Sequence, residues 1–483
     1  MQALPDLNQL SDSEKDELIR LLWSMLQSQG KQIAALQTQV ADLQSRLNKN
    51  SRNSSKPPSS DGLNKPAPKS LRVAGERPTG GQKGHPGSTL RPASQPDKVV
   101  VHDVPNQCQA CQRKLPFAYV SETRQVFDLP VLQFVVTEHH AMQAICACGH
   151  VHTGEFPDDV NACVQYGPGA QAAMVHLNQN HAVSVQRTAA LMQDLFGLQV
   201  SQATVVKAGL AGAAILQPTV QNIGQAIVGS AVAHADESGL RVARTLHWLH
   251  VLATDTLSWM GCHPKRGGEA FESLALLQQF KGVLVHDGWM PYKALQCQHA
   301  LCNQHHLREL AYLLEEQNQA RDGDMIELLT HANHLDNLNC ADGKTPSCAS
   351  KKYQNEVRDL RDLFDAILAQ AQADNPIVVS TGKRGRPKQS KATNLIGRLR
   401  DYAGDVWRFM TQPDVPFTNN LAEQTVRMPK VKQKVSGCFR TPQGAHNYCV
   451  IRSYCATMHK QGANIFESHV AAFKGQAPQP SFG

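Results

Sequence analysis

Apolar residues recur along this chain in three patterns, and each predicts a different element. Near the N-terminus, Ile19, Leu22, Leu26, Ile33, Leu36, Val40, Leu43 and Leu47 follow alternating steps of three and four, interrupted only at Gln29. That spacing draws one apolar seam along a helix, as a coiled coil requires, so residues 1–50 are expected to join two copies of the chain. Gly30 inside the seam costs helix stability and leaves room for a break there. The alternative is an amphipathic helix packed on its own domain.

Residues 161–229 carry a second, helical pattern. Within it, RTAALMQDLFGLQVSQATVVKAG reads as a helix-turn-helix. Leu191 and Leu195 are expected to pack inward, Gly197 to allow the turn, and Ser201 to cap a helix from Gln202 that could enter a major groove.

The third pattern belongs to strands. AVAHADESGLRV predicts a strand that delivers Asp236 at or near its end. LHWLHVLATD and TLSWMGCHP alternate apolar and polar residues across a tight turn near Asp255. GGEAFESLALLQQF sets Phe271, Leu274, Leu277 and Phe280 on one helical face, and GVLVHDGW is the short apolar run of a buried strand ending at Asp287. Strand, strand, strand, helix, strand is the opening order of a ribonuclease-H-like fold. Its first and fourth strands are neighbours, so Asp236 and Asp287 should meet.

Two adjacent carboxylates are costly unless a cation neutralises them, and hard oxygen ligands suit Mg²⁺ or Mn²⁺. A third carboxylate is then expected from a helix beside the strands. NNLAEQTVRMPKVKQK offers Glu423, in the first turn of a helix capped by Asn419 or Asn420. Arg427 falls one turn later, where it could pair with Glu423 or with a phosphate, and Lys430, Lys432 and Lys434 read as a basic run that contacts DNA. The chain between Asp287 and Glu423 exceeds what the fold needs. CNQHHLREL and KKYQNEVRDLRDLFDAILAQAQ predict a helical insertion over 301–414. Cys302 and His305 have metal-like spacing, but two ligands are too few, and they are read as bracing the start of the insertion. TGKRGRPKQSK, with Arg384 and Arg386, has the form of a minor-groove-reading arm or of a basic surface loop.

Composition changes this picture in two places. Residues 51–98 are rich in Ser, Pro, Asn and Lys with few large apolar residues, which predicts a basic linker. The 13 cysteines of this 483-residue chain are better read as thiols or metal ligands than as a disulfide scaffold. Cys108 and Cys111 in CQAC, with Cys146 and Cys148 in CACGHVH, predict a structural Zn²⁺ site in a domain over 99–160. One residue separates the second pair, so His150 or His152 could replace Cys148. Lys plus Arg exceed Asp plus Glu, 48 against 41, which matters less than where the bases cluster. No signal peptide or long apolar run is evident, which points to a cytoplasmic protein without a membrane partner.

These motifs carry a resemblance. NSSKPPSSD (53–61), GGQKGHPG (80–87), HADES (234–238), VHDGW (285–289) and NNLAEQ (419–424) resemble the insertion-sequence-66 family of DDE transposases, nearly along the whole chain. The resemblance implies that Asp236, Asp287 and Glu423 are the catalytic triad, and that the four cysteines lie in a zinc-binding domain. It also implies two-metal cleavage and transesterification at terminal inverted repeats, transfer into target DNA, and in many members small accessory proteins. CACG departs from the usual knuckle spacing. The expected architecture is multidomain α+β: a coiled coil, a linker, a zinc domain, a helical region, a catalytic domain over 230–300 and 415–470 with its insertion, and a tail over 471–483. The competing reading is a non-catalytic zinc-containing coiled-coil DNA-binding regulator.

Overall fold

A computed structural model of the chain describes residues 11–49, 90–115, 117–130, 132–317, 320–341, 350–379 and 387–482. Helix α1 (Asp12–Leu47) starts at Ser11, whose side chain accepts from the Glu14 N–H while Glu14 accepts in return from the Ser11 N–H. It continues through Gly30 without a break. Every residue of its apolar seam is exposed, from Leu22 at 47% to Leu47 at 82%.

Residues 90–162 contain little regular structure. A short antiparallel hairpin joins β1 (Gln143–Ile145) to β2 (Val151–Thr153). The stretch from Val126 onward has no ladder partner before Gln143 among its described residues. Its apolar side chains, such as Val126, Leu129 and Val135, are exposed.

Helix α2 (Pro168–Val175) runs into a π-helical turn (His176–Asn180), followed by α3 (Val185–Phe196) and α4 (Gln202–Val228). Ser184 and Ser201 cap the latter two, and Gly197 closes α3 at φ 70°, a conformation that a side chain would oppose. The helix-turn-helix shape forms, but Leu195 does not pack inward as expected. Thr188, Met192 and Phe196 form the inner face by steps of four, and Leu195 falls off that stripe at 48% exposure. Helix α4 is long and apolar enough to cross a membrane by composition alone. Here Val205, Leu216, Val220, Ile223 and Ile227 bury its inner face. That face shares one core with Ala233, Leu252 and Leu284 of the sheet, so the expected boundary at 229/230 does not separate two cores.

Five strands form that sheet: β3 (Val232–Val242), β4 (Thr245–Ala253), β5 (Ser258–His263), β6 (Val283–His286) and β7 (Gln298–Leu301), in the order β5-β4-β3-β6-β7. The first three are antiparallel, and β6 lies parallel between β3 and β7. The first and fourth strands are therefore neighbours, as their order predicts. Strand β7 escaped sequence reasoning because only Ala300 and Leu301 of its four residues bury an apolar side chain. The expected single helix between β5 and β6 is two, α5 (Gly268–Leu274) and α6 (Leu276–Gln279), broken where Ala275 takes φ 61°.

After β7 the insertion supplies α7 (Asn303–Gln317), α8 (Ala320–Ala341), α9 (Lys351–Asp374), α10 (Lys391–Asp401) and the short α11 (Ala403–Val406) and α12 (Arg408–Thr411). Its core of Leu310, Leu313, Leu329, Phe364, Leu395 and Trp407 continues into Val283, Val285 and Ala300 of the sheet. The insertion is thus seated on β6 and β7. The chain then returns as α13 (Asn420–Ser436), α14 (Pro442–Lys460) and α15 (Ile465–Phe473). Ala422, Val426, Ala445 and Cys449 of α13 and α14 cover Leu240, Leu249, Val251 and Met260. Helix α14 also closes the free edge of β5. Ser453 Oγ accepts from the Met260 N–H (2.8 Å), and Thr457 Oγ1 accepts from the Ser258 N–H (3.0 Å) and donates to its carbonyl (3.1 Å).

Candidate catalytic and metal centre

Register brings the centre together. His234 of β3 pairs with Val285 of β6, and Val285 pairs with Ala300 of β7. Two residues further along each strand stand Asp236, Asp287 and Cys302, a row across three neighbouring strands. The Cys302 N–H donates to the His286 carbonyl at 2.9 Å, which extends the β6–β7 ladder up to that row. Asp236 is not at the end of its strand, as expected, because β3 runs on to Val242. It stands where the pairing with β6 stops, since β6 ends at His286.

Asp236 Oδ1 accepts from the Glu237 N–H at 2.9 Å, and Asp287 Oδ1 accepts from the Trp289 N–H at 2.8 Å. Burial pushes the Asp236 carboxyl up to about 8, and the negative charges of Glu237, Asp287 and Glu423 add to the shift. Asp236 therefore senses both other predicted triad members.

Glu423 lies in the first turn of α13, between Ala422 and Val426, which pack on the sheet. Asn419 precedes it at the cap position, yet its side chain makes no capping bond. Instead Asn419 Nδ2 donates to the Ala235 carbonyl (2.8 Å), and Oδ1 lies 2.9 Å from His234 Nδ1. The Asn419 N–H points at Cys302 Sγ (3.2 Å). One buried residue thus clips α13 to β3 through its side chain and to the end of β7 through its backbone N–H. Sequence reasoning took Asn419 for a cap because a cap is the local use of Asn before a helix, whereas these partners are remote.

His305 opens α7 with its Nδ1 4.0 Å from Glu423 Oε1, too long for a hydrogen bond. Both atoms are buried without a hydrogen-bond partner. Donor atoms of Cys302, His305 and Glu423 lie within 4.8 Å of one another. The compact three-donor cluster among the described residues is this one, not the three carboxylates. Cys302 and His305 are two donors by their spacing along the chain; Glu423, more than a hundred residues later, lies beside them in the fold. Burial pushes the Cys302 thiol up to about 11, against the pull of the Asn419, His305 and Gln304 amides. Burial, then the Arg308 charge, lowers the His305 imidazole.

Beside this row lies a network that sequence reasoning missed. Glu237 is buried, with Oε1 held by Arg266 Nη2 (2.5 Å) and Oε2 accepting from Tyr292 Oη (2.5 Å). The Arg266 guanidinium sits 4.7 Å from the Trp248 ring centroid and 4.1 Å from that of Trp289. HADES drew attention to its Asp; the neighbouring Glu points to the other side of the strand and needs a cation from the β5–α5 loop.

The remaining predicted residues divide. Arg427 and Lys434 are exposed on α13. Lys430 Nζ turns to the Gly239 carbonyl of β3 (2.7 Å). Lys432 is buried, its Nζ donates to the Asn178 carbonyl (2.9 Å), and burial lowers it to about 8, so it does not face DNA as expected. Arg384 and Arg386 lie outside the described residues. Cys108 and Cys111 form one local turn and Cys146 and Cys148 another, in each of which backbone amides lower the first thiol. The two pairs do not join into one donor cluster among the described residues, against the expectation for a four-ligand site. The chain between them lacks the ladder that would fold one turn onto the other.

The model of the transposase IS66 family matches residues 163–447, more than half the chain, and the chain belongs to that family. A family of unknown function matches residues 2–91. No curated protein matches the chain. Membership makes this an insertion-sequence transposase, whose work implies DNA binding and DNA cleavage and transfer.

Proposed function

We propose that the chain cuts DNA at the terminal inverted repeats of its element and joins the freed 3′ hydroxyl to target DNA, with Asp236, Asp287 and Glu423 as ligands of catalytic Mg²⁺ or Mn²⁺. The observation that carries this reading is the register in which Asp236, inside β3, and Asp287, just past the end of the parallel neighbour β6, stand on one row while α13 brings Glu423 from the far side of the insertion. Strand order β5-β4-β3-β6-β7 with helices on both faces supports a ribonuclease-H-like catalytic domain. The donor set fits a divalent cation: Glu423 Oε1 is buried without a partner, and Asp236 is held near 8 by burial and like charges. Such an ion, when bound, neutralises these carboxylates and stabilises charge on the phosphoryl and leaving oxygens. The chain's own part is to hold the carboxylates in place, through the Glu237 and Trp289 amides and the Asn419 clip. Arg427 and Lys434, exposed on α13 beyond Glu423, are suited to phosphate contacts.

The exposed seam of α1 supports self-association, since eight large apolar residues facing water call for a second helix. Local thiol turns at 108–111 and 146–148 support zinc binding in that region. Small accessory proteins remain part of the proposal through the family alone.

The deciding test is Asp287→Asn. The variant should bind terminal-repeat DNA like the parent and lose Mg²⁺-dependent cleavage by at least about 10²-fold. Normal cutting by that variant refutes the triad assignment.

A further inference from the structure

We infer that Cys302, His305 and Glu423 form a binding site for a borderline-soft divalent ion of the Zn²⁺ class, separate in chemistry from the hard ion held by Asp236 and Asp287, with Glu423 available to both. Thiolate, imidazole and carboxylate are the zinc donor types, whereas Mg²⁺ avoids sulfur. Their donor atoms lie within 4.8 Å of one another. Ligands around a tetrahedral zinc, at about 2.0–2.3 Å each, stand roughly 3.3–3.7 Å apart, so a modest closure completes the set.

Three observations favour an ion over a packed core. First, His305 Nδ1 and Glu423 Oε1 are buried, face each other at 4.0 Å and have no hydrogen-bond partner. Leaving such atoms buried and unsatisfied is costly, and a cation between them removes the cost. Second, the pair does not satisfy itself, because 4.0 Å between the two atoms is beyond hydrogen-bond reach. Third, Cys302 Sγ receives the Asn419 N–H at 3.2 Å. Amides directed at sulfur are what a metal thiolate needs and a hydrophobic cysteine does not. Cys302-x-x-His305 presents two ligands across the start of α7, and α13 brings the third. With three protein ligands, a fourth position is open to water or to a phosphate oxygen.

The test uses the full chain, stripped of metal and reloaded with Co²⁺, which reports thiolate ligation by a sulfur-to-metal charge-transfer band. The other cysteines also take Co²⁺, so the signal is the difference between parent and Cys302→Ser. That difference should contain a thiolate band and one fewer bound ion per chain. His305→Gln should weaken the same component by roughly 10–100-fold or more, the loss already typical of disturbing an outer partner of a metal ligand. It also serves if Cys302→Ser fails to fold. Asp287→Asn should keep the band, which separates this site from the proposed cleavage chemistry: loss of cleavage with the band retained upholds both. Equal Co²⁺ stoichiometry and spectra in parent, Cys302→Ser and His305→Gln overturn the site. So does loss of the band in folded Asp287→Asn, which would move the ion into the aspartate row.

Discussion

Two regions of this chain offer metal donors, and they differ in what holds them. Around Cys108–Cys111 and Cys146–Cys148 the donors are close in sequence, exposed apart from the half-buried Cys108, and carried on local turns outside the three hydrophobic cores. Around Cys302, His305 and Glu423 the donors come from the end of β7, the start of α7 and the first turn of α13, and are buried or half-buried. Spacing along the chain favours the first region; burial and orphaned polar atoms favour the second. Short spacing needs only a turn, which costs little to form and little to lose. A site assembled from remote segments stands only if packing over the whole sheet has already placed them.

That contrast can be broken in several places. The largest effect is expected at Asn419, the clip between the remote segments. Asn419→Ala leaves the Ala235 carbonyl and His234 Nδ1 without their partner, a loss on the order of 2–3 kcal/mol in chemical denaturation. Cleavage should fall with it, because Glu423 follows on the same helix. Unchanged stability and cleavage would show that α13 is placed by its apolar face alone.

A second effect tests burial on that helix. Lys432 has a folded-state pKa near 8, below the ordinary lysine range of about 10.4. Between those values the unfolded chain keeps a proton that the folded chain has released, so this residue adds stability as pH rises from 8 to about 10.4. The contribution is on the order of 1 kcal/mol per pH unit. Stability of the parent minus that of Lys432→Met should therefore increase with pH across that window. Lys460, also lowered to about 8 by burial, keeps its own contribution in both proteins. A difference independent of pH would mean that Lys432 is hydrated.

The smallest effect belongs to the exposed region. Cys108→Ser with Cys111→Ser should lower zinc content yet change the unfolding free energy of the rest by less than about 0.5 kcal/mol. A loss of several kcal/mol would mean that this turn is packed on a core after all, and the contrast would fail.

Much of the sheet was legible from residues. The alternation in β4 and β5, the apolar run of β6 and the acidic residues following them were enough to pair the first and fourth strands. The α1 seam was equally plain, because a repeat of three and four is a local property. Less legible were features whose signal is not local. Four-residue β7 has too few apolar positions to announce itself, and without it the register that lines up Cys302 with Asp236 and Asp287 is invisible. Lys432 looks like part of a basic run, but helix geometry turns it inward while Lys434 stays in water.

Hydrophobic periodicity and acidic motifs determined the element types, the strand order and the candidate carboxylates, since both are written within short windows of chain. Only folding decided which remote atoms meet: Asn419 with Ala235, and Glu423 with Cys302 and His305. Those contacts depend on register and on helix packing across an insertion of over a hundred residues, where no short window holds both partners.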